Sequence, residues 1–225
     1  MQLRPNQLNA HLSKSLAPVY VVGGDEMLLV QEATDAIRKA ALKAGYSERV
    51  VLDVETGFDW EQLAAAGASM SLFAERQLIE VRLPTGKPGT PGGKALTAWC
   101  KSVPPDTVLL VTCGKLESTS RRAKWFQNLE KAGASVVAWP LNGRDVQQWL
   151  DGRMRSRGLQ PEREAVQALA ERVEGNLLAA AQEVDKLQLL CGEGPISLRE
   201  VLGAVTDSSR FDIFDLVDAC LSGDA

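Results

Sequence analysis

The chain has 225 residues, of which 45% are hydrophobic and 24% are charged, and its formal net charge is −4. This composition is typical of a globular protein with a buried core, and the length allows one large domain or two smaller ones. The acidic balance argues against a module that wraps nucleic acid by itself, although it permits a local basic patch. No run approaches the ~18 consecutive apolar residues of a membrane-spanning helix, so we expect a cytoplasmic protein without membrane contact.

The residue types that most often bind metals or perform catalysis are sparse. Four cysteines, at Cys100, Cys113, Cys191 and Cys220, form no Cys-x-x-Cys pair. The single histidine, His11, lies in a short helix pattern that favours a structural or surface role. The 29 acidic residues are scattered and show no metal-binding spacing. We therefore expect no catalytic residue, no metal site and no cofactor.

The first part of the chain, residues 1–141, alternates between strand and helix patterns. A buried strand at Val19–Val22 is followed by a helix from about Met27 to Ala44, and further helices are predicted after Asp59 and around residues 123–131. Four more strands are predicted at Val50–Val54, Gln77–Leu83, Thr107–Thr112 and Ser135–Trp139. Strands that are separated by helices and apolar on both faces indicate a parallel sheet covered on each side.

This α/β domain lacks the residues that bind a nucleotide. A P-loop ATPase places glycine, lysine and Ser or Thr after its first strand, but Leu28, Leu29 and Val30 stand there in this chain. Aliphatic side chains neither neutralise a triphosphate nor bind magnesium. The glycine- and proline-rich stretch Thr85–Lys94 predicts a surface loop rather than a phosphate loop. A nucleotide-binding enzyme with an unusual Gly23-Gly24 turn is thus a weak alternative.

The pattern becomes helical from Asn142 and predicts a small all-helical domain over residues 142–208. Asn176 is a candidate helix cap, and Ser197 with Glu200 forms a capping-box pattern. Residues 209–225 then begin an apolar helix at Phe211. We expect this last segment to be the start of a third, truncated domain.

Two surface features are candidates for partner binding. Ser69–Phe73 places Met70, Leu72 and Phe73 together without a charge, either covering the sheet edge or standing out for a partner; taken alone, these residues favour the first. Arginines and lysines also cluster, in one group at Arg144, Arg153, Arg155 and Arg157 and in another at Arg121, Arg122 and Lys124. Such groups contact DNA phosphates, but cations at a helix C-terminus also stabilise its dipole.

Five segments, in their order and spacing, resemble the delta subunit of the bacterial DNA polymerase III clamp loader, and the resemblance covers all 225 residues. They are Tyr20–Glu26, Met70–Arg76, Leu116–Ser118, Gly175–Leu178 with Gln182–Leu187, and Phe211–Asp215. The resemblance implies an AAA+-like α/β domain without a functional P-loop or ATPase activity, then a helical lid domain and a helical collar domain. It implies no intrinsic catalysis, although the family belongs to the DNA polymerase III holoenzyme.

The resemblance also implies partners and a site. The family opens the ring-shaped sliding clamp (the beta subunit) with a hydrophobic wedge, which here corresponds to Met70, Leu72 and Phe73. The other loader subunits (gamma/tau and delta prime) are expected to bind mainly through the collar, with primed DNA inside the complex. Arg153, Arg155 and Arg157 are the candidate DNA contacts. The alternative is a degenerate AAA+-like DNA-contacting or scaffold subunit whose apolar segment belongs to the core.

Overall fold

The structure, a computed structural model, describes residues 1–68 and 76–209. The wedge candidates Met70, Leu72 and Phe73 and the apolar helix predicted from Phe211 lie outside these ranges. The chain divides into two units after Trp139, two residues before the boundary that the sequence predicts after residue 141. No helix in the described ranges is long and apolar enough to cross a membrane.

The first unit contains a six-stranded sheet in which every neighbouring pair is parallel, with the strand order β1-β6-β2-β5-β4-β3. All six residues of the central strand β2 are buried, because helices cover both faces of the sheet. The strands are β1 (Gln2–Leu3), β2 (Val19–Gly24), β3 (Glu48–Asp53), β4 (Gln77–Leu83), β5 (Thr107–Cys113) and β6 (Ala134–Ala138).

Helices lie against both faces of this sheet. The helix α1 (Pro5–Leu12) packs on α2 (Met27–Lys43), which contacts β2, β5 and β6. The helices α3 (Glu61–Ala68), α4 (Gly89–Lys101) and α6 (Lys124–Ala132) share the main apolar core with alternate strand residues such as Val21, Ile79 and Leu109. A short helix, α5 (Ser118–Arg122), precedes α6. Because successive side chains of a strand point to opposite faces of the sheet, the remaining strand residues lie on the other face, toward α2.

The loop predicted over Thr85–Lys94 is wrong in its second half, because α4 begins at Gly89. Leu96 and Trp99 of this helix are buried in the core, and their packing overrides the low helix propensity of the glycines. A Cβ atom on Gly92 would lie 2.3 Å from the Trp60 ring, so this glycine allows the close contact. Pro91 is tolerated because it lies in the first turn of the helix.

The second unit is built mainly from four helices: α7 (Gly143–Ser156), α8 (Arg163–Val173), α9 (Leu177–Cys191) and α10 (Leu198–Ser209). Two short strands that the sequence did not predict, β7 (Leu159–Pro161) and β8 (Gly194–Ile196), pair in parallel beside them.

Both predicted helix caps of this unit are confirmed. The Asn176 side chain accepts a hydrogen bond from the Ala179 amide at 3.1 Å. The Ser197 amide donates to the Glu200 carboxylate at 2.8 Å, and the Arg199 amide donates to Ser197 Oγ at 3.2 Å. These bonds satisfy amides that would otherwise lack a partner at the start of α9 and α10.

Candidate functional site

The stretch that contains the wedge candidates connects α3 to β4, and the structure describes both of its flanks. Because all strands are parallel, the first residue of β4 lies at the edge of the sheet where the strands begin. Gln77 ties the two flanks together, since its Nε2 donates to the Ala66 carbonyl in α3 at 3.0 Å. Its backbone amide donates to the Asp106 carbonyl at 3.0 Å. The chain therefore leaves α3 and enters β4 at linked positions.

Arg76 holds the entry to β4 on a second side. Its Nη1 donates to the carbonyl of Ala44, the C-cap residue of α2, at 3.0 Å. Its Nε donates to the Asp106 carboxylate at 3.2 Å, and the guanidinium lies 5.6 Å from the centre of the Tyr46 ring. A cation near a helix C-terminus is favoured by the helix dipole. Three separate contacts thus fix the backbone beside the wedge candidates.

An apolar groove of about 340 Å³ borders the other flank, between α3 and α4. A Cβ atom on Gly67 would lie 2.5 Å from the Trp99 ring, so only glycine lets α3 approach α4 this closely. The residues that line the groove include Trp60, Leu63, Gly67, Ala68, Trp99 and Pro104. The position of α3, which ends at Ala68 just before the wedge candidates in the sequence, depends on this helix contact.

At the opposite edge of the sheet, Gly23 and Gly24 are the last two residues of β2 rather than the predicted turn, and they allow close packing between strands. Gly24 has a φ of +149°, and a Cβ atom there would lie 2.0 Å from the Ala138 carbonyl oxygen of β6. Leu29 and Val30, which occupy positions of the phosphate loop, are buried in the core. These positions therefore supply core side chains rather than groups that could contact a triphosphate.

The histidine has a structural role, which is one of the two roles, structural or surface, that its sequence pattern favours. His11 Nε2 lies 3.0 Å from the hydroxyl of Tyr20, which is fully buried, and that hydroxyl accepts a hydrogen bond from the Ala17 amide at 2.9 Å. Among the residues described, no group of three His, Cys, Asp or Glu side chains is placed to hold a metal ion.

The three arginines proposed to contact DNA do not share one surface. Arg155 pairs with Asp151 at 2.8 Å and Arg157 with Asp185 at 3.0 Å. Arg153 lies over the Trp149 ring, 5.2 Å from its centre. At 100° per residue, Arg153 and Arg155 lie on nearly opposite sides of α7, and Arg157 follows the helix as its C-cap residue. Two of the three charges are already balanced within the unit.

A buried carboxylate that the sequence pattern does not predict, Glu80, organises the face of β4 that points away from the main apolar core. Glu80 is fully buried and accepts hydrogen bonds from Arg38 of α2, Arg49 of β3 and Arg82 of β4, at distances of 2.5–3.0 Å. Burial alone raises the pKa of this carboxyl, but the three arginines outweigh it and lower the pKa to about 2. The signal in the sequence is a pair of charges, Glu80 and Arg82, alternating with apolar residues in a buried strand.

Comparison with known proteins places this architecture in a family. Residues 20–138 match the family model described as DNA polymerase III, delta subunit. The chain belongs to this family. It is 32% identical to DNA polymerase III subunit delta of Escherichia coli over 223 residues, and 30% identical to that of Haemophilus influenzae over 224 residues. These matches cover 99% and 98% of the chain, which spans 65% of each relative.

Solved structures confirm the predicted fold. The DNA clamp loader delta protein of Bacillus subtilis matches with a TM-score of 0.68 and 24% identity, covering 88% of this chain and 61% of that one. A RuvB mutant of Thermotoga maritima matches with a TM-score of 0.50 and 10% identity, covering 91% of this chain and 67% of that one. At these identities the matches show the fold alone, which is the predicted AAA+-like α/β architecture.

Proposed function

We propose that this chain binds the sliding clamp through Met70, Leu72 and Phe73 and opens the ring for loading on primed DNA. The observation that carries the proposal is the match to the delta-subunit family over residues 20–138, because the matched region contains this stretch. The frame around the stretch supports it. Gln77 and Arg76 tie both flanks to the sheet and to each other. The backbone on either side of the stretch is therefore already fixed before a partner binds.

Such a wedge would bind firmly with few contacts. Burying a Leu or Phe side chain contributes ~1.5–3 kcal/mol, and a few clustered apolar anchors commonly dominate an interface. Ordered flanks reduce the entropy lost on binding. A clamp loader must also release its ring, and two or three side chains detach more readily than a broad apolar face. In this proposal, the surrounding unit positions the three apolar side chains and performs no reaction.

The remaining partners are part of the same proposal, because the chain spans 65% of its relatives. We expect the other loader subunits to bind mainly through the collar region and primed DNA to lie within the complex. Direct DNA contact by Arg153, Arg155 and Arg157 stays a prediction. The carboxylate partners of Arg155 and Arg157 count against it.

The test is a titration of the chain against the purified sliding clamp, with the double variant Leu72→Ala/Phe73→Ala measured beside it. We expect each single substitution to cost ~2 kcal/mol, or roughly thirtyfold in affinity, and the double variant to lose more. Ring opening is then measured as release of the clamp from circular DNA, which the wild-type chain should accelerate and the double variant should not.

The matched control is Leu189→Ala/Leu190→Ala, which removes two apolar side chains of α9 that are 86% and 59% exposed. It should bind the clamp as the wild type does. Equal binding by the wild type and a folded Leu72→Ala/Phe73→Ala variant would move the contact elsewhere. Loss of binding in the α9 control instead would place it on the second unit.

A further inference from the structure

We propose that Arg121, Arg122 and Trp139 form a binding site for single-stranded nucleic acid on the first unit. The arginines would contact phosphates and the tryptophan would stack a base. These residues come from two places that the fold brings together. Arg121 and Arg122 end α5, which follows β5, and Trp139 directly follows β6. The site is separate from the proposed clamp contact, and its test requires no clamp.

Trp139 presents an aromatic surface at the end of its strand. The side chain is 41% exposed, although tryptophan is usually well buried. The Arg121 guanidinium lies over its ring, 4.7 Å from the centre, within the range of a cation–π contact. An exposed tryptophan held in place by an arginine is suited to stacking, because every base has a π-face.

The two arginines lack the carboxylate partners that neutralise most of their counterparts in this unit. Arg38, Arg49, Arg76 and Arg82 each pair with an aspartate or glutamate. In the described part of the chain, the Arg122 guanidinium donates only to the carbonyl and hydroxyl of Ser118, both at 3.3 Å, and neither it nor the Arg121 guanidinium forms an ion pair. Arg121 Nε is buried and has no hydrogen-bond acceptor among these residues. A buried donor without an acceptor is costly, and an anion would satisfy it.

A polar groove of about 510 Å³ runs beside this pair and provides room for a nucleotide. One carboxylate, Glu130, also lines it, and its Oε1 accepts a hydrogen bond from Ser135 Oγ at 2.5 Å. Two arginines face this single acidic group, so the groove carries a net positive charge. The lining residues are Gln2, Ser118, Arg121, Arg122, Phe126 and Glu130.

The chemistry favours a nucleic acid over an acidic peptide. A peptide carboxylate would use the arginines but would leave the exposed face of Trp139 without a partner. A single strand offers both groups in alternation, with phosphates for Arg121 and Arg122 and bases for the ring. Because the overall charge is −4, the contact must be local, and the two arginines of the groove together with Trp139, which Arg121 contacts, meet this requirement.

The experiment measures binding of a fluorescein-labelled oligothymidylate of about 12 nucleotides to the whole chain by anisotropy, at several salt concentrations. The variants are Arg121→Gln/Arg122→Gln and Trp139→Leu. The slope of log K against log salt is negative, and the double arginine variant should make it less steep by about 1.4, since each phosphate contact on a single strand contributes ~0.7. Trp139→Leu should weaken binding about tenfold and leave the salt slope unchanged.

Arg163→Gln/Arg172→Gln is the charge-matched control, because both are exposed arginines of the second unit and the variant also removes two positive charges. It should leave both affinity and slope unchanged. Losses in this control equal to those of Arg121→Gln/Arg122→Gln would mean that net charge alone governs binding, and would overturn the proposal. Wild-type binding in folded Trp139→Leu, or equally effective competition by oligoglutamate, would remove the stacking role and overturn it as well. Circular dichroism and thermal melts establish that each variant is folded.

Discussion

Replacement of Glu80 by glutamine tests whether one buried carboxylate holds three elements of the first unit together. Five N–H groups donate to Glu80: two from Arg38 of α2, two from Arg49 of β3 and one from Arg82 of β4. Glutamine preserves the shape but removes the charge and places an amide group against the arginines. The variant therefore leaves three guanidinium groups without the anion that they surround.

The pKa of this carboxyl gives the size of the effect. Its fall from 4.5 to about 2 corresponds to about 3 kcal/mol, within the range for breaking a buried ion pair. Because the folded pKa is the lower one, this stability is fully present above about pH 4.5 and is lost as the pH falls toward 2. The contribution should shrink to roughly 1–1.5 kcal/mol by pH 3.

The assay is urea unfolding of the wild type and Glu80→Gln at pH 7 and at lower pH, followed by circular dichroism. Glu117→Gln is the control, because Glu117 pairs with Lys87 at 3.3 Å and both side chains are largely exposed. A surface pair of this kind contributes less than ~1 kcal/mol. If the two variants lose the same small free energy of unfolding at pH 7, or if the deficit of Glu80→Gln does not change with pH, the Glu80 network does not hold these elements together.

Two further predictions concern packing and reactivity. In urea unfolding, Gly67→Ala should lower the free energy of unfolding by ~1–2 kcal/mol, because the added Cβ meets the Trp99 ring. Gly152→Ala in α7 should raise it by ~0.5–1 kcal/mol, because nothing lies within 4 Å of the added Cβ and alanine favours the helix. Burial raises the pKa of Cys113 to about 12 and of Cys100 to about 11. Iodoacetamide at pH 8 should thus label the exposed Cys191 before either, and equal labelling by mass spectrometry would contradict this.

The sequence predicted the architecture well where the apolar pattern is long. All residues of β2 and six of the seven residues of β5 are buried, and the assignment of these strands needed no tertiary information. The missed elements depend on partners distant in sequence. The two residues of β1 form a strand only because they pair with Ser135 and Val136 of β6. Likewise, α4 forms because Leu96 and Trp99 anchor a glycine-rich start.

The candidate sites show the same limit. The apolar stretch with Met70, Leu72 and Phe73 is visible in the sequence because it lacks charges over adjacent residues. The Glu80 network is not visible in the sequence, since Arg38 and Arg49 lie 42 and 31 residues away from Glu80 along the chain. The apolar pattern predicts that Trp139 is the last residue of a buried strand, but β6 ends at Ala138 and the Trp139 side chain is partly exposed to solvent. Periodicity alone does not locate the last residue of a strand.

The parallel sheet explains how one small unit could serve two partners. The wedge stretch enters β4 where the strands begin, whereas Trp139 leaves β6 where they end. Seven residues of β4 extend roughly 23 Å, and β6 lies three strands away, or about 14 Å across the sheet. Under the two proposals, a ring would bind at the first corner and a nucleic acid strand at the second, so the two partners would contact different parts of the sheet. The Glu80 network holds β3, β4 and α2 together between these corners.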